Sequence, residues 1–189
     1  MNFVILTILL ILLCSPTAAL AEKQVVTNLS FEFSQFDDRY TFHGSFFTMS
    51  DPDALMHILY DFEHLTNFVT GADSILLLRQ GENWYEVCYT YRRLFLENKF
   101  TYRKTLIQGE KRITFEMIAS EQTDAIFPRV LSSRGYYEIK PEGKGCKVVY
   151  FEEGRIGSKL PNKVSSHMAK REATKFLQEL GKYVERKCY

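Results

Sequence analysis

Apolar and polar residues alternate through most of this chain, and the alternation gives way to helical spacing in only two places. Phe31 to Met49 reads as a long first strand, in which Tyr40, Phe42, Gly44 and Phe46 alternate with Thr41, His43, Ser45 and Phe47. The stretch Gln35-Phe36-Asp37-Asp38 marks a bulge or a hairpin within it. Ser50-Asp51-Pro52-Asp53 is a helix start: Asp51 can cap, Pro52 suits the first helical position, and Asp53 sits well against the helix dipole. Leu55, Ile58, Leu59 and Phe62 then recur at helical spacing, and Phe62 to Phe68 forms a second short helix ending near Gly71. Strands follow over Ser74–Arg79, Trp84–Arg93, Asn98–Ile107, Arg112–Ile118, Ser132–Lys140 and Cys146–Gly154, with a less regular stretch from Ser120 to Val130. The short turns between them imply an antiparallel meander. Beyond Pro161 one long helix runs to Lys187, with Val164, Met168, Ala169, Ala173, Phe176, Leu177, Leu180 and Val184 as its apolar stripe. The expected class is α+β: a curved seven-stranded antiparallel sheet around a long C-terminal helix, with two short helices after strand one.

Alternation also assigns faces. Val87, Tyr89 and Tyr91 share one, as do Phe100, Tyr102 and Leu106; Ile113, Phe115 and Met117; Gly135, Tyr137 and Ile139; and Cys146, Val148 and Tyr150. The buried face is therefore wide and aromatic, which fits a composition of 15 Phe and 11 Tyr. Two readings of that face stay open on the residues alone: a filled core, or a cavity that one long and two short helices fail to fill.

The N-terminus is a separate object. Phe3 to Cys14 is apolar apart from Thr7, Pro16 breaks the run, and Ala19-Leu20-Ala21 has the form of a cleavage site. Residues 1–21 read as a signal peptide and residues 22–189 as one domain. The n-region has no Lys or Arg, so an uncleaved anchor is the alternative. Export implies an oxidising compartment, periplasmic or extracellular. Cys88, Cys146 and Cys188 then allow at most one internal disulfide. The strand from Cys146 and the returning helix are each about 36–39 Å long, so Cys146 with Cys188 is the best pair; three free thiols is the other reading.

The net charge of +1 gives no basic footprint for nucleic acid. His43, His57, His64 and His167 show no zinc spacing and read as surface or helix-end residues. Asp61 and Glu63 could act as paired carboxylates, but their place between short helices favours capping. No G-x-S-x-G, phosphate loop or Cys–His pattern is present. Asn28-Leu29-Ser30 matches a glycosylation sequon.

Four segments resemble the START-like superfamily of helix-grip proteins, and within it the polyketide cyclase/dehydrase and coenzyme Q-binding group. They are Ser50–Asp53 leading to Ile58–Leu65 with its Asp61-Phe62-Glu63 turn, Arg112–Glu116, Arg134–Pro141, and Cys146–Glu152 running on to Leu160-Pro161 and Lys170-Arg171-Glu172. Thr123 to Val130 departs from the tighter link common in relatives. The resemblance implies a hydrophobic ligand cavity between sheet and helix, lined by Phe46, Tyr89, Tyr91, Phe100, Tyr102, Phe115, Tyr137 and Tyr150 from the sheet and by Val164, Met168 and Arg171 from the helix. The expected function is an exported, non-enzymatic binding protein for a lipid, isoprenoid quinone or polyketide-like molecule. It would be monomeric, without a cofactor or catalytic residue, and suited to transient membrane contact. An aromatase/cyclase-type enzyme using the same cavity is the alternative. Sequencing the N-terminus of protein from its native host checks the leader: a chain starting at Glu22 is expected, and a retained Met1 would contradict it.

Overall fold

A computed structural model describes residues 28–93, 96–122, 129–157 and 162–188. Residues 1–27, which carry the expected signal peptide, lie outside these, as do most of Thr123 to Val130 and the Leu160-Pro161 pair. The strands are β1 (Ser30–Phe36), β2 (Arg39–Thr48), β3 (Ser74–Gln80), β4 (Trp84–Arg93), β5 (Leu96–Ile107), β6 (Arg112–Gln122), β7 (Arg129–Glu142) and β8 (Gly145–Gly157). The helices are α1 (Pro52–Tyr60), α2 (Phe62–Phe68) and α3 (Asn162–Cys188). All eight strands form one antiparallel sheet in the order β1-β2-β8-β7-β6-β5-β4-β3.

The sheet has eight strands rather than seven because the expected first strand folds back on itself. Phe36 pairs with Arg39 across a two-residue turn at Asp37-Asp38. Asp37 takes a left-handed conformation with φ of 52°, which a short polar side chain tolerates. Of the two readings of Gln35–Asp38, bulge or hairpin, the structure has the hairpin, and the apolar positions change parity across it, from Phe31 and Phe33 to Tyr40 and Phe42.

Asp61 joins the two short helices. Its backbone N–H donates to the His57 carbonyl at 2.8 Å and closes α1, while its carboxylate accepts from the Glu63 N–H at 3.0 Å and opens α2. Asp51 caps α1 by accepting from the N–H groups of Asp53 and Ala54. These caps satisfy orphan helix-end donors and carbonyls, and they fix α1 and α2 between β2 and β3.

Three bulges shape the sheet. Each inserts one residue, Leu78 in β3, Ile118 in β6 and Leu131 in β7, and all three side chains are exposed. Such insertions bend a strand and raise its twist. The sheet curves towards α3, which packs mainly on β2 and α2. Gly44 makes the close approach feasible, since a Cβ there would lie 2.4 Å from Leu177 Cδ2. Around that contact lies a core of Phe42, Phe46, Leu55, Leu59, Leu65, Leu177, Leu180 and Val184.

Two expectations need correction. The buried stripe of α3 starts at Ser165, and Val164 is exposed; the helix is rotated by about one residue relative to the predicted face near its start. Cys146 is a free thiol, buried, donating to the Ser50 carbonyl at 3.3 Å rather than bridged to Cys188. Cys146 lies opposite Thr48 below the start of α1, whereas the last turns of α3 lean on α2, where Tyr183 packs against His64 and Phe68. The side chain of Cys188 lies outside the described residues. Leu177→Ala should cost about 2–5 kcal/mol in urea unfolding; a loss below about 1 kcal/mol would show that the helix–sheet clasp does not rest on this contact.

Candidate functional site

α3 seats on the β1–β2 side of the sheet, and the opposite part of the concave face is left uncovered. The result is a cavity of about 520 Å³ between β4–β8 together with Phe33 of β1 and Tyr40 of β2, the start of the loop after α2, and the middle of α3. That volume falls in the range of small-molecule sites, about 300–1,000 Å³. Its walls are aromatic: Tyr89, Tyr91, Phe100, Tyr102, Phe115, Tyr137 and Tyr150 from the sheet, with Phe68 and Phe176 from the helices. The rings interlock, with Phe115 stacked on Tyr150 at 5.7 Å between centroids and Tyr89 edge-on to Tyr102 at 5.8 Å. Exposed Thr70, Glu172 and Lys175 mark the mouth.

Seven of the eight sheet residues expected to line a cavity do so. Phe46 does not; it is buried in the solid core beneath α3. None of the three expected helix residues lines it. Val164 is exposed, Met168 is half-buried outside the lining, and Arg171 is exposed and pairs with Glu172 at 3.0 Å. α3 instead presents Ala169, Glu172, Ala173, Lys175 and Phe176. Its small residues leave the space that larger side chains would fill.

Two polar groups in the cavity were not expected. The first is Glu152. Tyr40 donates to its Oε1 at 2.6 Å, Ser133 donates to the same oxygen at 2.7 Å, and Tyr150 donates to Oε2. Three hydroxyls thus converge on one carboxylate and stabilise it away from bulk water. Burial, reinforced by this carboxylate, pushes Tyr40 and Tyr150 far above the usual tyrosine range. Burial does the same to Tyr89, Tyr102 and Tyr137, so the wall stays uncharged.

The second is Lys104, only 4% exposed. Its register neighbours are Tyr85 on β4 and Phe115 on β6, and its Nζ lies 5.6 Å from the centre of the Tyr137 ring. Among the described residues no carboxylate or other side-chain acceptor pairs with its amine. Desolvation lowers it to about 7. The sequence carried a signal for both groups: Lys104 has the parity of Phe100 and Tyr102, and Glu152 that of Tyr150. Polar residues at inward positions are easily read past, because inward positions are expected to be apolar.

A separate cluster lies at the α1–α2 junction. Ligand atoms of His57, Asp61 and His64 lie within 4.8 Å of one another, although their spacing in sequence does not resemble a metal motif. His64 Nδ1 shares a 2.6 Å hydrogen bond with the Tyr183 hydroxyl, and His57 faces Asp61 at 3.6 Å. These contacts tie α1, α2 and the end of α3 together.

No protein-family model and no curated protein matches the sequence. Solved structures do match it. One is the Zhui aromatase/cyclase from Streptomyces sp. R1128, with a TM-score of 0.60 and 13% identity, covering 77% of this chain and 93% of that one. Another is a STAR-related lipid transfer protein from Xanthomonas axonopodis, with a TM-score of 0.58 and 14% identity over 81% and 97%. A START superfamily protein from Mycobacterium smegmatis gives a TM-score of 0.59 and 11% identity over 78% and 96%. The fold is the START-like helix-grip fold. At these identities the likeness fixes the START-like architecture and leaves the chemistry of the cavity to this chain's own residues.

Lys104 gives a test of that chemistry. An unfolded chain keeps the lysine proton up to about 10.4, whereas the folded chain releases it near 7. Between these values the unfolded state binds more protons, so stability rises with pH across the window. The buried tyrosines, which ionise near 10 only in the unfolded chain, oppose the trend at the top of the window, but they are common to wild type and a Lys104 variant and cancel in the difference between them. Lys104→Met should therefore stabilise the protein at pH 7, with the gap to wild type shrinking by roughly 1 kcal/mol per unit up to pH 9.5. A gap that stays constant over this range would mean that the amine is not held in a dry site.

Proposed function

We propose that this protein binds a small apolar or amphipathic molecule in the cavity between its sheet and α3. The observation that carries the reading is the unfilled, aromatic-walled volume of about 520 Å³. Removing apolar ligand surface from water would supply most of the affinity, at about 25 cal/mol per Å². The tyrosine hydroxyls, the buried Lys104 and the half-buried Glu152 would orient the ligand. Lipids, isoprenoid quinones and polyketide-like aromatics all suit such a wall. The lipid transfer protein among the fold's neighbours agrees with this use. The apolar leader of residues 3–14 supports a place of action outside the cytoplasm.

An aromatase/cyclase-type activity is the second reading, and it draws support from one observation: Lys104 and the Glu152 cluster place polar groups inside the cavity. A site of that kind could act largely by folding a flexible chain into a reactive shape. Binding ranks first because the hydroxyls around Glu152 already donate to that carboxylate.

Mass spectrometry of an organic extract of protein purified from its native host should reveal a bound apolar compound. Ala169→Trp, which places bulk at the cavity mouth while leaving the core of Phe46 and Leu177 untouched, should weaken uptake of a lipophilic fluorescent probe at least tenfold. Unchanged uptake in this variant would contradict the proposed site. Turnover of a poly-β-ketone analogue, lost on Tyr102→Phe, would put the enzymatic reading first.

A further inference from the structure

Several ionic groups of the sheet are paired. Glu86 sits beneath Arg79 and Arg103 at 2.7 Å each, Arg112 meets Glu138 at 3.1 Å, and Arg155 meets Asp38 at 2.6 Å. Inside the cavity Glu152 is held by three hydroxyls. Lys104 departs from this pattern: it is more deeply buried than any of those cations, and no side-chain acceptor among the described residues meets its amine. A buried ammonium without a counter-charge is costly. It lies on the cavity wall, where a bound molecule could complete it.

We propose that the ligand carries a single carboxylate, which enters first and pairs with Lys104 at the closed end of the cavity. The inference rests on the cavity being a ligand site. The direction of entry follows from burial: Lys104, Phe115 and Tyr137 are buried, while Thr70, Glu172 and Lys175 at the mouth are exposed. The choice of a monoanion follows from the donors. The closed end offers one ammonium and neutral tyrosines, the Glu152 carboxylate of the same cavity being already held by three hydroxyls, and there is no arginine fork and no helix N-terminus among the described lining residues. A phosphate group would call for more donors than that. The rest of the wall is aromatic, so the body of the ligand is apolar. The lowered titration of Lys104 agrees with the pairing, since an arriving acid can return the proton to the amine and form the charged pair in place.

The test compares palmitic acid and 1-pyrenebutyric acid, each beside its own methyl ester, on wild type, Lys104→Met and Lys104→Arg. Native mass spectrometry and pyrene fluorescence read the binding. Wild type should bind at least one acid tenfold or more tighter than its ester. In Lys104→Met that ratio should fall to within twofold while ester affinity is kept, and Lys104→Arg should retain part of the preference. Retained ester affinity also shows that the Lys104→Met protein folds. Equal affinity of acid and ester in wild type, or an acid preference that survives Lys104→Met, would overturn the inference and leave the cavity reading intact. Tighter binding of a lysophosphatidic acid than of palmitic acid would overturn the choice of carboxylate. Failure of every probe to bind would overturn both readings together.

Discussion

A single long helix cannot cover the concave face of eight strands. That mismatch of surfaces governs the rest of the molecule. α3 seats tightly at one side, where Gly44 lets Leu177 reach the sheet, and its small Ala169 and Ala173 face the other side. Bulges at Leu78, Ile118 and Leu131 curve the strands around the space. The core under Phe46 and Leu180 is solid, and the cavity begins where the helix turns its alanines to the sheet. Close packing and hollow thus occupy neighbouring parts of one face, which lets the packed side hold the open side in shape.

Most of the sheet was legible in the sequence, because a strand half-buried on one face must alternate. The alternation gave the strands from β3 to β8 and seven of the aromatic wall residues. It left the β1–β2 hairpin as one of two readings of Gln35–Asp38, a bulge or a turn, and the pairing of Phe36 with Arg39 decides for the turn. The helix face was harder. A shift of one residue moves a side chain about 100° around the axis, and this removes Val164, Met168 and Arg171 from the cavity in favour of Ala169, Ala173 and Phe176. Matching lengths of β8 and α3 led to the Cys146–Cys188 expectation, but length says nothing about direction, and α3 ends against α2. The meeting of His57 with His64 depends on the chain bending at Asp61, which no linear spacing expresses.

The inward charges show most clearly what parity can and cannot deliver. Lys104 and Glu152 stand at inward positions and could have been found by counting in twos from Tyr102 and Tyr150. Their roles could not. Glu152 is satisfied by hydroxyls from β2, β7 and β8, a convergence that exists only after the sheet is assembled. Lys104 has aromatic register neighbours and, among the described residues, no side-chain acceptor. One charge is complete within the protein and the other is not, and this asymmetry gives the cavity a direction.

The most direct measurement is an NMR titration of the Lys104 side chain, assigned by comparison with Lys104→Met. A dry, unpaired amine at the end of a hollow should titrate near 7 in the ligand-free protein and move upward by at least one unit when an acidic ligand fills the space. An ordinary value near 10.4 without ligand would mean that water or an acceptor already reaches the amine, and it would contradict the account of Lys104 as the incomplete charge of the cavity.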